Sequence, residues 1–216
     1  MTDRSEPDRD VDIGGLRSVL LGGGLALVPT DTVYGLAAAL DAPEGVDALY
    51  ALKRRPRDQS CQVILYAPAL LDEALAPLDE TTRAAARALL PGPATCIVPD
   101  PAGRYATASL GEPGSVGIRA PLVSGPIAEL DIPLVATSAN DPGGPDPATL
   151  DEVPVRIRDA VAAQVDAGRL APVPSAVVDL REVASGGPAW LLRPGPSPEA
   201  VAEALARAGV RLARRG

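Results

Sequence analysis

Histidine is absent from the 216 residues, and so is phenylalanine; tryptophan, with one, cysteine, with two, and tyrosine, with four, are among the scarce types. Without histidine there is no Ser-His-Asp or Cys-His catalysis and no imidazole-containing metal site. Cys61 and Cys96 alone cannot build a four-thiolate zinc site or a disulfide framework, and so few cysteines suit a cytoplasmic setting. An aromatic content of 2% argues against stacking platforms for single-stranded nucleic acid. No apolar run approaches the roughly 18 residues of a membrane span. The polar start, Met1 to Asp12, has no hydrophobic signal core, and residues 1–11 read as a disordered acidic tail. An enzyme made from this chain must work with cations, hydroxyls and backbone amides, any metal arriving on its substrate.

Lysine is nearly absent too. Nineteen of the twenty basic residues are arginine, and Lys53 is the exception. In such a background a lone lysine marks a place that wants a compact ammonium and not a planar fork. The formal net charge of −8 argues against a broad nucleic-acid-binding surface.

What is present is alternation. Apolar periodicity and breaker residues predict helices over 11–21, 45–52, 70–78, 81–90 and 124–130. A last helix starts strongly, with Ser197 as cap followed by Pro198 and Glu199, and Val201, Leu205 and Val210 give it an apolar face. Strands are expected over 25–28, 62–66, 94–98, 115–119, 134–136, 175–180 and 190–193, and 37–40 is a short apolar run. Residues 151–165 mix both signals. No repeat or linker divides the chain, so the class is α/β, with one domain over 12–216.

The densest polar stretch is Leu27-Val-Pro-Thr-Asp-Thr-Val-Tyr-Gly-Leu36. Pro29 ends a strand, and two hydroxyls, a carboxylate and a phenol follow at the place where open α/β sheets put ligands. The same residues also suit a polar turn. Lys53 and Arg55, pinned by Pro56, pair a point charge with a bidentate fork and suit a phosphate, although such a run also makes a solvated patch. Ser138 and Asn140 follow an apolar strand and could bond phosphate or carboxylate; their sequence is equally a good turn. Ser175 with Arg193, and Arg119 at the close of 115–119, complete the set. Asp141, Asp146, Asp151 and Glu152 could hold Mg²⁺, yet their spacing matches no ion-binding loop, and no side chain is assigned to a metal. Gly22-Gly23-Gly24 lacks the Lys-Ser/Thr of a P-loop.

Seven short motifs follow one another: PTDTVYGL, KRRP at Lys53 to Pro56, PGPAT at Pro91 to Thr95, GIRAP at Gly117 to Pro121, TSAN at Thr137 to Asn140, PSAVVD at Pro174 to Asp179, and LLRPG at Leu191 to Gly195. In this order, over about residues 12–210, they resemble the YrdC-like threonylcarbamoyl-AMP synthases in their single-domain form. The resemblance implies a twisted mixed sheet flanked by helices around a large concave, positively lined cavity. It implies that L-threonine, bicarbonate and ATP, accompanied by Mg²⁺, give threonylcarbamoyl-adenylate and pyrophosphate. The product would serve threonylcarbamoyladenosine formation at adenosine 37 of tRNA, through a downstream tRNA-threonylcarbamoyl transferase. By position, Thr32, Tyr34, Arg119 and Ser175 would hold threonine and bicarbonate. Lys53, Arg55, Gln59, Ser115, Ser138, Asn140 and Arg193 would hold ATP, with Lys53 and Arg55 as the catalytic cations. Fixed cations in a closed cavity stabilise charge building on phosphorus oxygens and pyrophosphate, and no protein nucleophile is needed.

Three positions depart from the family pattern. Ile64 stands where a histidine is usual, Ser175-Ala-Val177 replaces Ser-Thr-Val, and Thr30-Asp31-Thr32 replaces Thr-Glu-Thr. A polar group lost from a buried pocket costs about 1–3 kcal/mol, enough to shift amino-acid preference without dismantling an ATP site. The competing readings are a paralogue acting on another carbamoyl or amino-acid substrate, and a non-catalytic module binding RNA, double-stranded RNA included. Acidity and scarce aromatics count against the module.

Overall fold

Asp12 caps the first helix by accepting the Gly15 N–H at 2.9 Å, and α1 (Ile13–Leu21) turns Leu16 and Leu20 inward. The computed structural model describes residues 12–109 and 111–214; the expected tail, 1–11, lies outside them. After α1 come β1 (Ala26–Val28), β2 (Gly35–Ala39), α2 (Pro43–Lys53), β3 (Gln62–Ile64), α3 (Pro68–Leu75), α4 (Glu80–Leu89), β4 (Ala94–Pro99) and β5 (Ser115–Arg119). The second half holds β6 (Leu134–Ser138), α5 (Val155–Arg158), β7 (Ala163–Gln164), β8 (Ala176–Asp179), β9 (Ala189–Arg193), α6 (Pro198–Arg207) and β10 (Leu212–Arg214).

Three expectations change. Residues 124–130 form only a 3₁₀ turn, Pro126–Glu129, because Gly125 at φ 80° and Pro133 leave too little chain for an α-helical nucleus. The mixed stretch 151–165 resolves into a 3₁₀ turn (Leu150–Glu152), the single turn of α5 and the short β7. Val210 is buried outside the last helix: Gly209, at φ 74°, ends the helical run and lets the chain return as β10.

Among the described residues the ten strands join one mixed sheet, in the order β10-β9-β8-β4-β5-β3-β6-β2-β1-β7. The pairs β3–β5, β4–β8, β9–β10 and β1–β7 are parallel, and the other neighbours antiparallel. Side chains sort by the two-residue period of the strands. Leu27, Leu36, Val63, Cys96, Ile118 and Val178 enter one core beneath α2, α3, α4 and α6. Ala26, Val28, Ala37 and Leu134 enter a second core with Leu16 and Leu20 of α1. On this second face α1 covers the β1–β2 end. Farther along the sheet, Ser115, Gly117 and Arg119 alternate with core-facing Val116 and Ile118 and line a hollow instead. No helix among the described residues is long and apolar enough to cross a membrane.

Candidate active site

The hollow has a volume of about 340 Å³, within the usual span of small-molecule sites. Strands β3, β4, β5, β6, β8 and β9 all contribute to its lining, so residues as distant as Thr32 and Arg193 share one wall.

At one corner the β1–β2 loop folds on the hydroxyl of Thr30. Its Oγ1 accepts the Thr32 and Val33 N–H groups, both at 3.1 Å, and donates to the Val33 carbonyl at 2.8 Å. Thr32 Oγ1 lies 3.0 Å from Thr30 Oγ1 and accepts from Arg119 Nη2 at 3.0 Å, so the Thr32 proton points to Thr30. Arg119, 1% exposed, closes β5 and ties three segments together. Nη1 donates to the carbonyls of Gly92 and Ala94 at 2.9 and 3.1 Å, and Nη2 also pairs with Asp31. The second Asp31 oxygen accepts the Leu122 N–H at 3.2 Å. Burial lowers the Arg119 pKa while the Asp31 charge raises it. Only Nε–H of this guanidinium lacks a partner among the described residues.

A second corner forms where α2 ends. Arg54 takes a left-handed conformation, φ 50°, and the N–H groups of Arg54 and Arg55 bond back to Ala51 and Tyr50, a Schellman closure without glycine. The chain thereby reverses and sends Arg55 to the hollow, its Nε on the Gln59 carbonyl (3.0 Å) and Nη2 on that of Ser60 (2.6 Å). Lys53, 5% exposed, takes another course. Its Nζ donates to the carbonyls of Ser138 (2.8 Å) and Asn140 and to Asn140 Oδ1 (2.8 Å), which uses all three protons. Burial first, then the charges of Arg55 and Arg156, lowers its pKa to about 8. Asn140 is fully engaged as well: Oδ1 accepts the Ser138 hydroxyl at 2.8 Å, and Nδ2 donates to Gly144 O and Asp146 Oδ1 at 2.7 and 3.2 Å.

The third corner is a chain of donors. Arg193 donates from Nε to Ser175 O at 2.7 Å and from Nη2 to Ser175 Oγ at 3.1 Å. Thr95 Oγ1 donates to Gln62 Oε1 at 2.9 Å and so accepts from Ser175 Oγ, 3.2 Å away. Burial lowers the Arg193 pKa, against the pull of Asp146.

The model of the family designated Sua5_yciO_yrdC, described as telomere recombination, matches residues 18–195. The chain belongs to the Sua5/YciO/YrdC family. Among solved structures, Pyrococcus abyssi Sua5 complexed with L-threonine is similar at TM-score 0.76 and 26% identity, over 96% of this chain and 61% of that one. The family member described here thus spans about three-fifths of the Pyrococcus protein. A Mycobacterium tuberculosis relative, provisionally named threonylcarbamoyl-AMP synthase, is 33% identical over 189 residues, 85% of this chain and 84% of its own. A Marinobacter nauticus threonylcarbamoyl-AMP synthase is 30% identical over 68% of this chain and 78% of its own.

Within this Sua5/YciO/YrdC chain the sequence-derived residues separate into two groups. Thr32, Tyr34, Arg55, Ser115, Arg119, Ser138, Ser175 and Arg193 line the hollow. Lys53 and Asn140 do not; they stand behind its wall and hold the turn that presents Ser138. Gln59 is exposed and outside the lining. The Tyr34 ring is on the wall, but its hydroxyl faces the 166–168 turn, donating toward Gly168 O (2.8 Å) or Asp166 Oδ1 (3.2 Å) and accepting the Ala167 N–H at 2.9 Å. Ala176 points into the opposite core, so the Ser-Ala-Val departure takes no hydroxyl from the hollow, whereas Ile64 does line it. Thr95 and Gln62 carried no functional expectation. Their signal is positional: each is a polar residue in step with the hollow-facing side of an otherwise apolar strand. Of the four acidic candidates, Asp141, Asp151 and Glu152 pair with arginines, and only Asp146 lines the hollow. No group of three or more acidic or cysteine side chains among the described residues could cage a metal.

Proposed function

We propose that this chain makes L-threonylcarbamoyladenylate from ATP, L-threonine and bicarbonate, releasing pyrophosphate, and so acts as a nucleotidyltransferase. The observation that carries the reading is the convergence, in one hollow, of Arg55, Ser138, Ser115, Ser175 and Arg193 with the Thr32–Arg119 corner. Threonine's amine and bicarbonate give a carbamate and water. A carbamate oxygen then attacks the α-phosphorus, and the bond to pyrophosphate breaks. Arg55 and Arg193 offer fixed positive charge where it develops, and the Ser115 and Ser138 hydroxyls orient phosphate oxygens. Arg119 anchors Thr32 and offers its Nε–H to a carboxylate. Lys53 acts through the Ser138–Asn140 turn as a positioning residue. Mg²⁺ enters on ATP and neutralises phosphate charge. The naming of relatives and the L-threonine held by Pyrococcus Sua5 support threonine as the amino acid. In a cytoplasmic setting, a tRNA-threonylcarbamoyl transferase would consume the product, and direct RNA contact is not required.

One observation favours a second reading. Ile64 puts an aliphatic side chain on the hollow wall, which suits the same chemistry on an amino acid less polar than threonine. Pyrophosphate release from ATP and Mg²⁺ with a panel of amino acids, with and without bicarbonate, decides. Release that needs threonine and bicarbonate together is expected. Release with an aliphatic acceptor alone supports the second reading, and no release under any condition refutes both.

A further inference from the structure

We infer that Asp146 makes the hollow selective for the magnesium complex of ATP over the bare nucleotide, its carboxylate serving as the protein's one arm on the metal. The inference rests on the nucleotide reading above. Asp146 sits in the loop that follows β6, and its position is fixed from behind. Lys53 Nζ holds Asn140 Oδ1, and Asn140 Nδ2 holds Asp146 Oδ1, so the buried lysine fixes the carboxylate through one amide. Asp146 Oδ2 accepts no hydrogen bond, and the residue has no ion pair among the described residues. The hollow's other carboxylate, Glu112, is matched by Arg181 Nη1 at 3.0 Å. Asp146 is therefore a carboxylate without a direct ion pair among the described residues, on a wall that otherwise offers Arg55 and Arg193 to an anion.

Its field reaches the phosphate-binding side, since it raises the proton affinity of both Arg193 and Lys53. A triphosphate gripped by Arg193 places its oxygens in that same field, and like charges at such range repel unless a cation lies between them. Mg²⁺ suits the gap, because it is usually held by one or two carboxylates together with substrate phosphates while keeping several waters. The absence of a larger acidic cluster among the described residues agrees with a single arm.

Calorimetric titration of the full chain with ATP, in excess Mg²⁺ and in EDTA, tests this. Asp146→Asn keeps an oxygen for Asn140 and removes the charge; Asp146→Ala removes both, and thermal unfolding checks that each is folded. The wild type should bind the magnesium complex about tenfold or more tighter than bare ATP. In both variants that ratio should fall to within about threefold, bare ATP binding tighter and the complex weaker. An unchanged ratio in either folded variant overturns the role of Asp146. So does an unchanged ratio with lost discrimination between ATP and 2′-deoxy-ATP, which assigns the carboxylate to the ribose. A wild type that binds no ATP in either medium refutes the nucleotide reading, and this inference with it.

Discussion

Lys53 carries two predictions at the scale of a single residue. Replacing it with alanine strands three acceptors at the Ser138–Asn140 turn. Lys53→Ala should cost about 2–4 kcal/mol in denaturant unfolding, since unsatisfied buried polar groups cost about 1–3 kcal/mol each and water reaches some of them. It should also weaken ATP binding more than threonine binding, a split that calorimetry resolves. The second prediction concerns pH. The folded pKa of about 8 lies below the ordinary lysine value of 10.5. Between those limits the unfolded chain holds the proton and the folded chain does not, so this group makes stability rise with pH there. Activity should move the other way, falling through about pH 8 as the ammonium loses its third donor. A Lys53→Arg variant without that limb would confirm its source. The sequence marked Lys53 as a place for an ammonium, and in the structure all three of its Nζ protons are engaged. It could not show which oxygens receive it, because Ser138 and Asn140 lie more than eighty residues away. Ile64 is the converse case: a departure visible in sequence that does face the hollow. Ile64→His should change the threonine KM several-fold, in line with the 1–3 kcal/mol worth of one buried polar group, and leave the ATP KM nearly unchanged.

At the scale of elements, the ion pair between β5 and the β1–β2 loop governs whether the Thr32 corner exists. Arg119 and Asp31 have side chains 1% and 12% exposed. Asp31→Asn leaves a buried guanidinium with neutral partners only, and breaking such a pair typically costs about 3–5 kcal/mol. The expected result is a lower denaturation midpoint with an unchanged slope, together with a raised threonine KM. Apolar runs bounded by turn residues were legible from sequence: 115–119 is β5 to the residue, and β4 and β9 differ by one at an end. The short edge strands β7 and β10 were not legible. Two or three residues carry no period of their own, and only pairing with β1 and β9 makes them strands. The hollow's floor was half legible for a related reason. Arg119 stood out by chemistry and Ser115 entered only through the family resemblance, while Thr95 and Gln62 line the hollow only once β3 and β4 flank β5 in the sheet.

For the whole molecule, substrate binding and folding are linked. A ligand that binds only the folded chain stabilises it by about 2.7 kcal/mol at a hundredfold excess over Kd. ATP with Mg²⁺ should therefore raise the melting temperature by several degrees, and Arg193→Ala should remove most of that rise while leaving the unliganded melt close to the wild type. The order of strands has a further consequence. The hollow's lining begins at Thr30 and finishes at Arg193. A ribosome must therefore extrude every segment from Thr30 to Arg193 before the hollow is whole. Substrate cannot template the early steps of folding, and pairing between remote segments must come first, which is slow compared with local helix formation. A nascent chain stalled before β9 accordingly leaves β8 as an unpaired sheet edge that substrate cannot cover.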